Sequence, residues 1–242
     1  MLTPSEMKDH LHRLAREGNF IEGIYNYCDR WCEHCSFTSR CLNFKSSKDA
    51  PDADSPDLFE YLSNVFEATM LMINEKMEEL GIDPAEIAAM ETPEEPDPRD
   101  HPLHKKAYNA AFETHKWLEK HKPAERIHDV STLVLSEKNM HFAQAVEAIY
   151  WYNFFVSAKI YRALIPDDIH DRGEIQTDQN GSAKIALIAL DRLIGAWSVV
   201  MENMNDHEDE ILPFLITLAE IRRQAEITFP LAKQFLRPGF DD

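Results

Sequence analysis

Four residues in this chain have the type and spacing to do chemistry together: Cys28, Cys32, Cys35 and Cys41. They are the only cysteines in 242 residues, and all fall within the segment Cys28–Cys41, spaced C-x3-C-x2-C-x5-C. Four close thiolates are what a tetrahedral zinc ion or a cubane iron–sulfur cluster requires. In a reducing compartment such a group reads as a metal site before it reads as a pair of disulfides.

The choice between the two metal units is geometric. A helix running from about Ile21 through the cysteines would place Cys28, Cys32 and Cys35 on one face, at about 0°, 40° and −20° around its axis. Cys28 and Cys35 would then stand about 10 Å apart along that axis. One zinc ion with bonds of about 2.3 Å needs its sulfurs within ~4 Å of one another. A cubane gives each thiolate its own iron and tolerates a wider spread. The Cys32–Cys35 pair is followed by Ser36 and Phe37, without the glycine around which a zinc knuckle turns. A [4Fe-4S] cluster on Cys28, Cys32, Cys35 and Cys41 is therefore the expectation, with zinc as the alternative.

The half-motif Cys32-x2-Cys35-x5-Cys41 resembles the three-cysteine arm that holds [4Fe-4S] clusters in endonuclease III-type glycosylases and in a group of cluster-bearing nucleases. That resemblance covers about a dozen residues and implies cluster holding by Cys32, Cys35 and Cys41, with Cys28 as the fourth ligand. It does not extend to catalysis: no helix-hairpin-helix glycine motif and no strand-borne acidic nuclease core is present. The first three cysteines also match the radical-SAM spacing, but that fold needs strands and an open iron, which Cys41 would close. Around the thiols, His34 reads as a surface residue. Arg30 and Arg40 are placed to offset cluster charge, and Tyr27, Trp31 and Phe37 to exclude water from the site.

The elements that must position this segment read as helices. Only 7 glycines occur, and no stretch alternates with period two. Thr3-Pro4-Ser5-Glu6 is a capping box that opens a first helix, with Gly18 as its stop. Residues 46–56 form a polar linker. Ser55-Pro56-Asp57 then starts a long helix with a broad apolar stripe that ends at Gly81. Four prolines at 93, 96, 98 and 102 mark a loop. Further helices are expected over 103–121, 124–135, 137–165, 182–204 and 207–236, the last kinked at Pro213 and Pro230. The expected fold is all-α: a small cysteine-rich metal-binding module over 1–48 and an acidic helical bundle over 55–242.

Charge narrows the functions. The formal net charge is −18, which argues against duplex nucleic acid as the main partner, because phosphate binding needs a basic footprint. Residues 1–48 carry seven Lys/Arg and six Asp/Glu, net +1, so the remaining residues carry −19. No basic-then-apolar leader and no membrane span is readable, so a cytoplasmic location is expected. A protein partner is expected, with no nucleic acid or membrane.

Glu67, Glu113, Glu147, Asp191 and Glu220 sit within apolar helical runs, where inward carboxylates would bind two irons given Glu-x2-His motifs. Only one Glu-x2-His occurs, Glu125–His128, where the di-iron arrangement needs two, so salt bridges to Arg192, Arg222 or Arg223 are expected instead. The run Tyr150-Trp151-Tyr152-Asn153-Phe154-Phe155 predicts a helix buried on most sides. His101 and His104 flank a helix start. No phosphate loop, dinucleotide fingerprint, nucleophile elbow or zincin motif appears. The functional expectation is an accessory iron–sulfur protein. A zinc-stabilised interaction module and an enzyme with a pocket near Asp191 or Glu147 are the alternatives.

Overall fold

The computed structural model describes residues 2–48, 50–89, 96–125, 137–166 and 174–241. Among these residues every regular element is a helix or 3-10 turn, and no strand occurs. They form two compact units. One comprises Met1–Tyr25 with Cys32–Glu95, the other Asn26–Trp31 with Pro96–Asp242. This division differs from one drawn at the 46–56 linker, because the long helix after the linker pairs with the N-terminal helix.

In the first unit, α1 spans Pro4–Glu17 and starts with the expected capping box. The Thr3 side chain accepts from the Glu6 amide, and the Glu6 carboxylate accepts from the Thr3 amide at 2.9 Å. Gly18 ends the helix in extended rather than left-handed backbone. Short α2 (Leu42–Ser47) and long α3 (Leu58–Leu80) follow, then α4 (Pro84–Ala89). Gly81 closes α3 at φ 66, a left-handed value that glycine adopts without a Cβ penalty. Lys8 pairs with Glu75, and Asn64 donates to the Leu2 carbonyl at 3.1 Å, holding α1 along α3. The apolar stripe of α3 is only slightly buried. Ala68 is its one buried residue among those described, while Phe59 is 84% exposed and Phe66 67%.

Among the described residues, the second unit is built on a bundle of the helices α5 (Pro102–His121), α6 (Glu137–Ala163), α7 (Asp178–Asn203) and α8 (Glu208–Thr228). Each helix packs on two others in a ring, α5 on α6, α6 on α7, α7 on α8 and α8 on α5. The ring is closed by apolar residues at helical spacing. Val146, Ile149, Val156 and Ile160 of α6 face Ala186, Leu190, Leu193, Trp197 and Val200 of α7 in one continuous core. Ala107, Trp117 and Leu118 of α5, and Ile211, Leu218, Ile221 and Ala225 of α8, complete it.

Several expectations change here. The helix expected over 124–135 lies largely outside the described residues. Pro213 sits inside α8, but Pro230 does not kink it: the helix stops at Thr228 and a 3-10 turn over Ala232–Gln234 follows. The aromatic stretch of α6 is not buried all round. Tyr152 and Asn153 face the core, whereas Tyr150, Trp151 and Phe154 are exposed. Glu67, Glu113, Glu147, Asp191 and Glu220 are all exposed, so none is an inward carboxylate. Asp191 instead pairs with Arg222, as a salt bridge. No described helix is long and apolar enough to cross a membrane.

Candidate functional site: the cysteine segment

The helix expected through the cysteines does not form. Residues 21–41 are a chain of short turns: 3-10 turns at Ile24–Asn26, Cys32–His34 and Thr38–Arg40 joined by irregular backbone. Gly23 at φ 72 and Arg30 at φ 60 reverse the chain where a helix would have continued. Cys28, Cys32 and Cys35 therefore share no helical face, and the axial-rise argument for a cubane falls with it.

Cys28 lies in the segment that docks on the bundle, between two anchors. Tyr27 is buried; its hydroxyl donates to Asp178 Oδ1 at 3.0 Å, and its ring packs edge-on against Phe235 with centroids 4.6 Å apart. Asp178 is itself held by Arg162, whose Nε and Nη2 donate to its two oxygens at 2.8 and 2.6 Å. On the other side, Asp29 Oδ2 accepts from the Tyr152 hydroxyl at 2.7 Å and from Arg192. The Asp29 carbonyl accepts from Trp151 Nε1 at 2.9 Å, and Trp31 stacks on Trp151 at 5.5 Å. Burial, and then the Asp29 carboxylate it donates to, hold the Tyr152 hydroxyl well above the ordinary phenol range. Lys159 lies beneath the segment and donates to the Asn26 carbonyl at 3.2 Å. Burial first, then Arg162 and Arg30, push its ammonium below the usual lysine range, while Cys28 and Asp178 pull the other way.

Cys32, Cys35 and Cys41 belong to the first unit. The Cys35 amide donates to the Cys32 carbonyl at 3.1 Å, closing a 3-10 turn across the Cys-x2-Cys pair. The Phe37 amide points at Cys35 Sγ, 3.4 Å away. Cys41 caps α2: its Sγ accepts from the Phe44 amide at 3.5 Å and its carbonyl from the Lys45 amide at 3.0 Å. The Ile21 amide donates to the Arg40 carbonyl at 3.0 Å, tying the loop after α1 to this turn. Arg40, Lys45 and Lys48 line a groove with Phe20 and Phe44 beside Cys41. Lys48 lies over the Phe44 ring at 4.8 Å. All four cysteines are half-buried and none is in a disulfide. Among the described residues, no group of three donors close enough to hold one metal ion includes these cysteines.

Outside the segment, His34 is exposed as expected. His101 caps α5, accepting at Nδ1 from the Leu103 amide at 3.2 Å, and His104 packs between Tyr108 and Tyr161. A groove between α5 and α8 is lined by Lys106, Asn109, Glu113, Phe214 and Thr217; neither Asp191 nor Glu147 reaches it. Among the described residues, one group of donor side chains does converge: His121, His207 and Glu210. The sequence search missed it because it sought Glu-x2-His, whereas residues 207–210 read His-x2-Glu and the third member is 86 positions earlier. Comparison with protein-family models, curated proteins and solved structures finds no match to this chain.

Proposed function

We propose that Cys28, Cys32, Cys35 and Cys41 bind a metal unit, and that the unit is a [4Fe-4S] cluster serving electron transfer, redox sensing or structure. The observation that carries this reading is the spacing itself: every cysteine of the chain within Cys28–Cys41. Local structure supports it at two of the sulfurs. Backbone amides already donate toward Cys35 and Cys41 sulfur, the kind of hydrogen bond that stabilises cluster-bound thiolates and tunes their potential. When bound, such a cluster supplies one-electron chemistry; the chain supplies thiolates, sulfur hydrogen bonds and the Arg40 and Lys48 charges nearby. An electron-transfer or sensing role implies a protein partner, for which the acidic body offers a docking surface.

Zinc is the second reading, favoured by one observation. A 3-10 turn eclipses side chains at i and i+3, and Cys32 and Cys35 stand at that spacing in such a turn. The two separate on anaerobic purification. A brown protein absorbing near 400 nm, with about four iron and four sulfide per chain, is expected. A colourless protein holding one zinc overturns the cluster. Each of Cys28→Ala, Cys32→Ala, Cys35→Ala and Cys41→Ala is expected to lose metal, while His34→Ala keeps it; full retention in any cysteine variant removes that residue from the ligand set.

A further inference from the structure

The end of α5 and the start of α8 bring together a second set of donors, unrelated to the cysteines. His121 is the last residue of α5, His207 closes a 3-10 turn at Asn205–His207, and Glu210 lies in the first turn of α8. Glu210 Oε2 is 2.9 Å from His121 Nε2, and its Oε1 is 3.2 Å from His207 Nδ1. One donor atom from each of the three can be chosen so that all lie within 4.8 Å of one another. The two imidazoles meet edge to face with centroids 4.4 Å apart. Trp117 stacks on His121 at 4.6 Å and stands edge-on to His207 at 6.2 Å, which fixes both rings.

We propose that His121, His207 and Glu210 bind a divalent transition ion of the zinc class, leaving a fourth coordination position open to water or a small ligand. A tetrahedral ion with bonds of about 2.0–2.2 Å holds its donors about 3.3 Å apart. Each imidazole already meets one Glu210 oxygen at about that distance, and small side-chain rotations bring one donor atom from each residue, now within 4.8 Å of the others, into such a set. Two imidazoles and one carboxylate form a donor set that zinc uses where a position stays open, and nitrogen with oxygen donors suits zinc, cobalt or nickel. Exposure is graded in the right sense: the His121 side chain is 9% exposed, His207 21% and Glu210 41%. The ion would rest against the Trp117 wall on one side and be reached from solvent on the other. The C-terminal end of α5 contributes negative potential at His121, which favours a cation.

Without metal, the same three groups are held by hydrogen bonds, and Lys120 Nζ shares Glu210 Oε2 at 3.2 Å. Lys120 is 67% exposed, so releasing it to solvent costs little.

The test is zinc titration of the full chain while the imidazole nitrogen resonances of its 11 histidines are followed by NMR. Large shifts confined to the His121 and His207 rings, saturating near one added equivalent, are expected. Glu210→Gln, with folding checked by circular dichroism, is expected to weaken zinc by more than about tenfold, the scale set by losing even a group that only orients a ligand. Rings that stay unmoved, saturation only at millimolar zinc, or unchanged affinity in Glu210→Gln each overturn the site. Metal at the cysteines registers at His34 rather than at these rings, so this proposal and the cysteine reading fail separately.

Discussion

Asp29 is the residue that most directly holds Cys28 in place, since its carboxylate and its carbonyl both receive side-chain donors from the bundle. The hydrogen bonds from Tyr152 and Arg192 end on its charged carboxylate, and bonds of that kind are each worth about 1.5–3 kcal/mol when made well. Arg192 is 49% exposed and recovers water when its partner is lost, which places the net cost near the bottom of the range. Asp29→Ala is therefore expected to destabilise the protein by about 2 kcal/mol, read as a lower urea midpoint, with a changed tryptophan emission as the Trp31–Trp151 stack loosens. Unchanged emission and midpoint would show that Tyr27 alone suffices to dock the segment. Tyr27 and Trp31 stood out in the sequence as aromatic neighbours of a thiol. Asp29 did not, because its partners Tyr152 and Arg192 lie 123 and 163 residues away. Chain-local reading sees composition around a cysteine, not the distant donors that seat it.

Helix α7 carries two glycines whose substitution should act in opposite directions. A Cβ at Gly181 would lie 2.4 Å from the Tyr27 ring and 2.8 Å from Phe235. Neither neighbour gives way cheaply: both are buried, and the Tyr27 hydroxyl is pinned to Asp178. Overpacking of this kind costs about 1–3 kcal/mol, more than the roughly 1 kcal/mol of helix propensity that alanine adds. At Gly195 an added Cβ meets nothing within 4 Å, so only the propensity gain remains. Gly181→Ala is expected to lower the melting temperature and Gly195→Ala to raise it by a few degrees, both by thermal circular dichroism. The long helices were readable because their apolar residues recur at helical spacing and their caps are explicit, as in the Thr3–Glu6 box and Gly81. The turns over 21–41 were not. The sequence there has no strong breaker after Gly23, and the reversal at Arg30 accompanies the anchoring of Tyr27 and Asp29 rather than any local preference.

For the molecule as a whole, acid should be a destabilising condition with an identifiable contributor. Asp241, near the C-terminus, accepts from Arg237 and pairs with Lys184 of α7 at 2.7 Å. Arg237 first, then Lys184, hold its carboxyl well below its ordinary value of 3.8. The unfolded chain therefore takes up a proton near pH 4 that the folded chain still refuses. The stabilisation is full above that pH and is lost as pH falls toward the lower folded value. Asp241→Asn is expected to cost about 2 kcal/mol at pH 7 and progressively less below pH 4, measured as urea midpoints across pH. A constant difference across that range would mean that the carboxylate charge is not what matters. At this scale, sequence alone determined the helical class, the long helices and their caps, the acidic balance and the nomination of four thiols, because periodicity, capping chemistry and composition are local or summed properties. Tertiary structure alone decided that the cysteine segment is a run of turns, that the apolar-run acids face outward, that Asp29 and Tyr27 seat Cys28, and that His121 meets His207 and Glu210. Those outcomes depend on pairs of residues far apart in the chain, and a distance in space between them is not encoded in any local pattern.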